Sequence, residues 1–215
     1  MTRAAAAQAL GAVLLASAVA VPRSRAVEVN LAAVTCATYQ SEVLTNTLPG
    51  YKADSIDTVM WLFGFSVAKS GERVMYGDSL TAFGFALDAE CKNNPETTLF
   101  TAVTAVKSKR EHPMDLTRLD CATFEPRHVT LRKSDPDNAN TLTMWLFGYS
   151  VGLSGSRILN PDAVSEFDAG LDAWCTKHPE DTMFDALAAP NPAVVVPKPA
   201  GPKSRTAAPP GTAKH

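Results

Sequence analysis

The chain of 215 residues has few of the side chains that do chemistry: four cysteines, four histidines and only 7% aromatics. The cysteines show no C-x-x-C spacing, which excludes a thioredoxin-type redox pair and the common zinc frames. No glycine-rich phosphate loop, no G-x-S-x-G elbow and no paired-carboxylate motif is present. With no residue offering itself as nucleophile or general base, the expectation is a non-enzyme without cofactor. His112, His128, His178 and His215 are assigned to a linker, a loop, a helix start and a tail. None has a ligand at metal-binding spacing, so all four read as solvated surface histidines and no metal site is expected. Positive charge is also short. From Val27 onward 17 basic residues face 22 acidic ones, a net of −5, which argues against a nucleic-acid partner.

Long apolar runs are missing except at the start. There Arg3 precedes Ala4–Ala20, broken only by Gln8, Gly11 and Ser17, and small-x-small sites follow at Ala18-Val19-Ala20 and Ser24-Arg25-Ala26. Residues 1–26 therefore read as a cleavable secretory signal, too alanine-rich for a durable membrane span. An uncleaved anchor is the alternative. The expected product is exported to a bacterial periplasm, soluble, free of the membrane after cleavage, and able to form disulfides.

What the sequence does contain is a repeat. Met60-Trp61-Leu62-Phe63-Gly64-Phe65-Ser66-Val67 returns 84 residues later as Met144-Trp145-Leu146-Phe147-Gly148-Tyr149-Ser150-Val151. At that offset about 22 of the 46 positions from Met60 to Ala105 are identical, far beyond chance. An offset of 85 aligns Cys36-Ala37-Thr38-Tyr39 with Cys121-Ala122-Thr123-Phe124. Two copies of one small module follow, at 34–106 and 119–189, joined by a charged linker over 107–118. The stretch 190–215 is rich in proline, carries Lys198, Lys203, Arg205 and Lys214 and has no acid, and reads as a disordered basic tail.

A module of about 70 residues sits near the lower limit for folding on its own core and usually needs a staple. Pairing Cys36 with Cys91 and Cys121 with Cys175 makes each copy self-contained. Closing such a loop stabilises by about 4 kcal/mol on the chain-entropy model. Four reduced, buried cysteines are the alternative, disfavoured by the oxidising compartment.

The local signals are helical. Asp135-Pro136 is an N-cap with proline at the first helical position, ahead of Thr141–Leu153. Gly71 and Gly155 suit the left-handed position that closes a helix. Asp78 and Asp162 are placed to cap a second long helix reaching the second cysteine. Asn94-Pro95-Glu96 and His178-Pro179-Glu180 break that helix and start a third, and a short first helix lies around Cys36–Tyr39. With no alternating strand pattern, the fold class is all-α: two tandem small disulfide-linked helical bundles. Val59–Val67 and Met144–Val151 are apolar almost all round, which marks helices buried on every side. Part of that load is expected to pack between the copies or against a partner. The copies are acidic, with a net of −4 over Cys36–Val106 and −5 over Cys121–Ala189.

Thr35-Cys36-x-x-Tyr39 and Asp120-Cys121-x-x-Phe124, the Trp-x-x-Gly-aromatic cores at Trp61–Phe65 and Trp145–Tyr149, and the closing Cys91–Pro95 and Cys175–Pro179 resemble the HdeA/HdeB acid-stress chaperones. The resemblance covers both copies and omits signal, linker and tail. Type VI immunity proteins look similar. Membership implies a periplasmic, disulfide-linked helical protein, idle at neutral pH, which opens in acid. It would then hold unfolded or acid-denatured periplasmic proteins on exposed apolar segments. Carried over by position, the client-binding residues are Met60, Trp61, Leu62, Phe63, Phe65, Val67, Leu80, Phe83, Phe85 and Leu87 in the first copy. In the second they are Met144, Trp145, Leu146, Phe147, Tyr149, Val151, Val164, Phe167 and Leu171. Because the two copies share one chain, the family's homodimer is expected to become an intramolecular pseudo-dimer. Protonating every carboxylate and histidine would take the chain from −5 to +21, counted from Val27. The alternative function is a constitutive periplasmic binding or immunity protein that docks one folded partner.

Overall fold

A computed structural model describes residues 29–30, 32–48, 55–76, 79–106, 113–156, 158–159 and 163–189. The expected signal, the tail, His112, His215 and the caps Asp78 and Asp162 lie outside them. The order is β1 (Val29–Asn30), α1 (Cys36–Thr38), α2 (Ser55–Lys69), β2 (Val74–Tyr76), α3 (Leu80–Asn93) and α4 (Leu99–Ala105). The second repeat continues with β3 (Pro113–Asp115), α5 (Cys121–Ser134), α6 (Pro136–Ser154), β4 (Ile158–Leu159), α7 (Ala163–Lys177) and α8 (Met183–Ala188). The described protein is mostly helical, held by the two disulfides Cys36–Cys91 and Cys121–Cys175, with Cα–Cα spans of 4.8 and 4.9 Å.

The helix borders follow local chemistry. Asp135 caps α6 by accepting from Asn138 N at 3.2 Å, with Pro136 next to it. Gly71 and Gly155 both adopt φ of +77°, a left-handed conformation that glycine enters without the steric penalty a side chain brings. Thr35 caps α1, Thr98 caps α4, Asp120 caps α5 and Thr182 caps α8 in a reciprocal box with Asp185. The repeats part company after the first cysteine. In the first, α1 gives way to a wide π turn over Tyr39–Val43, whereas α5 runs on for 14 residues despite Pro126.

The strands are the unexpected element. They are two or three residues long, too short for any alternation to show, and they pair reciprocally between repeats. β2, which follows α2, pairs antiparallel with β3, which precedes α5, through Met75↔Met114. β4, which follows α6, pairs with β1, which precedes α1, through Asn30↔Ile158. β3 and the fully buried Leu116 thus fall inside the stretch read as linker. Asn30 and Asp115 turn the chain after each arm in the same way: their Oδ1 atoms accept from Ala32 N (3.1 Å) and Thr117 N (2.9 Å).

The core is organised about α2 and α6, which form the most extensive helix pairing in the described chain. Trp61 to Ala68 are all buried, as are Thr143 to Gly152. The helices cross at backbone contact. A methyl group on Gly64 would collide with the Trp145 carbonyl oxygen, and one on Gly148 with the Trp61 carbonyl oxygen. One turn on, a methyl on Gly152 would lie 2.6 Å from Ala68 Cβ. Each repeat's glycine therefore seats the other repeat's tryptophan backbone.

Candidate functional site

The apolar segments singled out from sequence are brought together, and mostly covered. Met60, Trp61, Leu62, Phe63, Phe65 and Val67 of α2 are buried with Met144, Trp145, Leu146, Phe147, Tyr149 and Val151 of α6. Phe83 and Leu87 of α3, and Phe167 and Leu171 of α7, close over them from outside. Phe63 stacks on Phe83 with ring centroids 4.8 Å apart, and Phe147 meets Phe167 at 5.2 Å. Leu80 and Val164 are half-buried. Phe85 stands apart, 72% exposed on the outer face of α3, where the second repeat has Ala169.

This seam carries an uncompensated polar cost. Each tryptophan stacks on the aromatic ring four residues on, Trp61 on Phe65 and Trp145 on Tyr149. Both indole Nε1 atoms are buried and have no hydrogen-bond partner. A buried donor left unmade costs about 1–3 kcal/mol. Two buried hydroxyls on the same helices are satisfied: Ser66 Oγ donates to Val103 O at 3.1 Å and Ser150 Oγ to Leu187 O at 2.9 Å, tying α4 to α2 and α8 to α6. Asn140 Nδ2 of α6 reaches Asp57 Oδ2 of α2 at 2.7 Å.

A titratable cluster sits beside the seam in the second repeat only, and it corrects the reading of His128 as a solvated surface residue. His128 is 1% exposed. Cys121, Phe124 and His128 lie at i, i+3 and i+7 on α5, so the histidine falls on the helix's buried stripe. That spacing was the available signal, and an expected loop masked it. The ring stacks on Phe124 at 5.1 Å, and its Nε2 is 3.2 Å from Thr143 Oγ1 of α6. Its Nδ1 makes no hydrogen bond and stands 3.8 Å from Asp168 Oδ1 of α7. Burial pulls the imidazole below its ordinary pKa, and the nearby Asp168 carboxylate offsets part of that pull.

Arg132, one turn beyond His128 on α5, completes the cluster. Its Nη1 donates to Asp168 and its Nη2 to Asp172, each at 2.6 Å, so one guanidinium clamps α5 to α7. Burial works to lower its pKa, but the hydrogen bond to Asp172 and the charge of Asp168 leave it raised. His128, Asp168 and Asp172 offer ligand atoms within 4.8 Å of one another, a grouping that sequence spacing gave no hint of. The two carboxylates already hold the guanidinium between them, so the cluster has an internal cation. In the first repeat the positions of His128, Arg132 and Asp168 are Val43, Thr47 and Gly84. There Asp88 instead accepts from Gln40 (2.9 Å) and Lys92 (2.5 Å).

No protein-family model, curated protein or solved structure matches this chain. Among the described residues no helix is long and apolar enough to cross a membrane.

Proposed function

We propose that this chain is an acid-activated holdase chaperone, closed at neutral pH and opening in acid to hold unfolded proteins on the helices of its seam. The observation that carries the reading is the burial of two aromatic helices behind groups whose native interactions depend on ionisation. The seam from Met60 to Val67 and from Met144 to Val151 offers a continuous apolar surface once the helices part. Its two unpartnered indole N–H groups gain water on opening, which lowers the cost of the open state.

Acid acts on this form in two stages. The buried His128 resists a proton that an unfolded chain would accept. Further down the scale, carboxylates bound in the native state lose their stabilising hydrogen bonds, and growing positive charge repels itself. The disulfides survive acid and limit how far each repeat can open, which favours reclosure. On this reading the two repeats act as an intramolecular pair, exported to the periplasm, needing no cofactor. The decisive measurement is light scattering of an aggregation-prone protein at pH 2–3 and at pH 7, with and without the chain. Suppression only in acid supports the holdase; none between pH 2 and 4 removes it.

A second reading is a constitutive binder of one folded partner at neutral pH. Phe85, at 72% exposure, and Ile56, at 57%, favour it, because they offer apolar surface without any opening. Suppression or complex formation at pH 7 that Phe85→Ser abolishes would decide for it.

A further inference from the structure

A small apolar pocket of about 170 Å³ opens on the surface between β2–β3 and α5. Its walls come from both repeats: Met75 and Met114 on the paired strands, Phe124, His128 and Leu131 on α5, and Leu142 on α6. Arg127 lies at its edge. Arg127 is exposed, and a side chain of this kind can lay its methylene stem on an apolar wall while its charged end stays in water. Among the described residues nothing pairs with that guanidinium.

The first repeat differs here. The counterparts of Arg127, Leu131 and Leu142 are Glu42, Asn46 and Thr58. The first repeat has no equivalent of the long α5 at these positions, since α1 gives way there to the π turn over Tyr39–Val43. The apolar wall with a cation beside it belongs to the second repeat. Its room corresponds to roughly five or six water-sized groups, enough for an alkyl chain of about six carbons and too little for a peptide side-chain array.

From the apolar walls and the single unpaired cation we infer that this pocket binds a small amphipathic anion, a medium-chain alkyl carboxylate. The chain lies against Met75, Met114 and Phe124, and the carboxylate meets Arg127. The class follows from complementarity: apolar walls select the alkyl part by burial, and Arg127 selects a negative head. The site borders the seam through His128 and Leu142 and is formed in the closed protein.

The test uses the full chain at pH 7, labelled with carbon-13 in the methionine methyl groups and titrated with sodium octanoate below its micellar range. The Met75 and Met114 signals are expected to shift and saturate, while Met60 and Met144 in the seam stay in place. Arg127→Glu, on an exposed residue, is expected to weaken binding about tenfold with the circular dichroism unchanged. Leu131→Trp, which fills the pocket, should abolish the shifts with Arg127 intact, and neutral octanol should bind about tenfold more weakly than octanoate. Met75 and Met114 signals that do not move, or movement of all the methionines together, would overturn the site. Octanol binding as tightly as octanoate would overturn the anionic class.

Discussion

The Tyr149 hydroxyl donates a 2.7 Å hydrogen bond to the main-chain carbonyl of Glu72, 77 residues earlier in the chain. It fastens α6 to the turn that ends α2. The first repeat has no equivalent, since Phe65 stands in the place of Tyr149. Burial pushes the phenol up to about 12. Tyr149→Phe should cost about 1 kcal/mol in urea unfolding at pH 7, the usual net worth of such a bond. An unchanged midpoint would mean that the bond is exchanged for water at no loss.

The glycines on and around the seam should respond very differently to a methyl group. Gly64→Ala and Gly148→Ala drive a carbon into main-chain oxygen across the helix crossing and should cost about 3 kcal/mol or more. Gly152→Ala meets the Ala68 methyl at 2.6 Å and the Phe65 carbonyl oxygen at 3.0 Å, a milder collision with main chain, and should cost less. Gly84→Ala finds Val59 Cγ1 at an ordinary 3.5 Å and should leave stability unchanged or raise it by up to about 1 kcal/mol. Thermal melts of the four variants check the order, and a tolerated Gly148→Ala would mean that the two helices do not touch.

The pH dependence should fall into two separate windows. His128 has a folded pKa below that of a free imidazole, chiefly through burial, so the unfolded chain binds the proton more readily. Stability therefore falls as pH drops below about 6.5 and levels off once the folded ring also titrates. His128→Gln should flatten that slope. The same slope in both proteins between pH 6.5 and 5 would clear the histidine.

The lower window belongs to carboxylates. Hydrogen bonds from Lys92 hold Asp88 below its usual range, and those from Thr117 and Thr123 do the same for Asp115 and Asp120. Groups with depressed folded values stabilise fully above about pH 4 and stop doing so as pH falls through those values. Asp120→Asn keeps an N-cap side chain and removes the charge, so the acid limb of its urea-midpoint curve should be shallower than that of the wild type. Equal limbs would show that the cap carboxylate plays no part in acid sensitivity.

Removing one disulfide by Cys36→Ser with Cys91→Ser should cost about 2–5 kcal/mol at neutral pH. The loss should also show as poorer recovery of native fluorescence when an acid-treated sample is returned to pH 7. Full recovery without the bond would leave the bridge with no role in reclosure.

Much of this arrangement is legible in the residues. The 84-residue repeat, the cysteine frame, Pro136 at a helix start and Gly71 and Gly155 at helix ends are local signals that nothing in the fold overrides. The four strands were not legible, because two or three residues carry no period and their partners lie in the other repeat. The burial of His128 could be read from its spacing to Cys121 and Phe124, but its partners were hidden for a related reason. Its neighbours Thr143, Asp168 and Asp172 come from two other helices, and α5 outruns its counterpart in the first repeat. Charge partners that converge only in three dimensions leave no spacing to read.

The helices that meet at Gly64 and Gly148 belong to a single polypeptide, and this fixes the reaction order of any opening. Two separate subunits that part must find each other again by diffusion, at a rate that falls with dilution. Here the partner surface never leaves. Closure is unimolecular, and its half-time is the same in a crowded compartment as in an almost empty one.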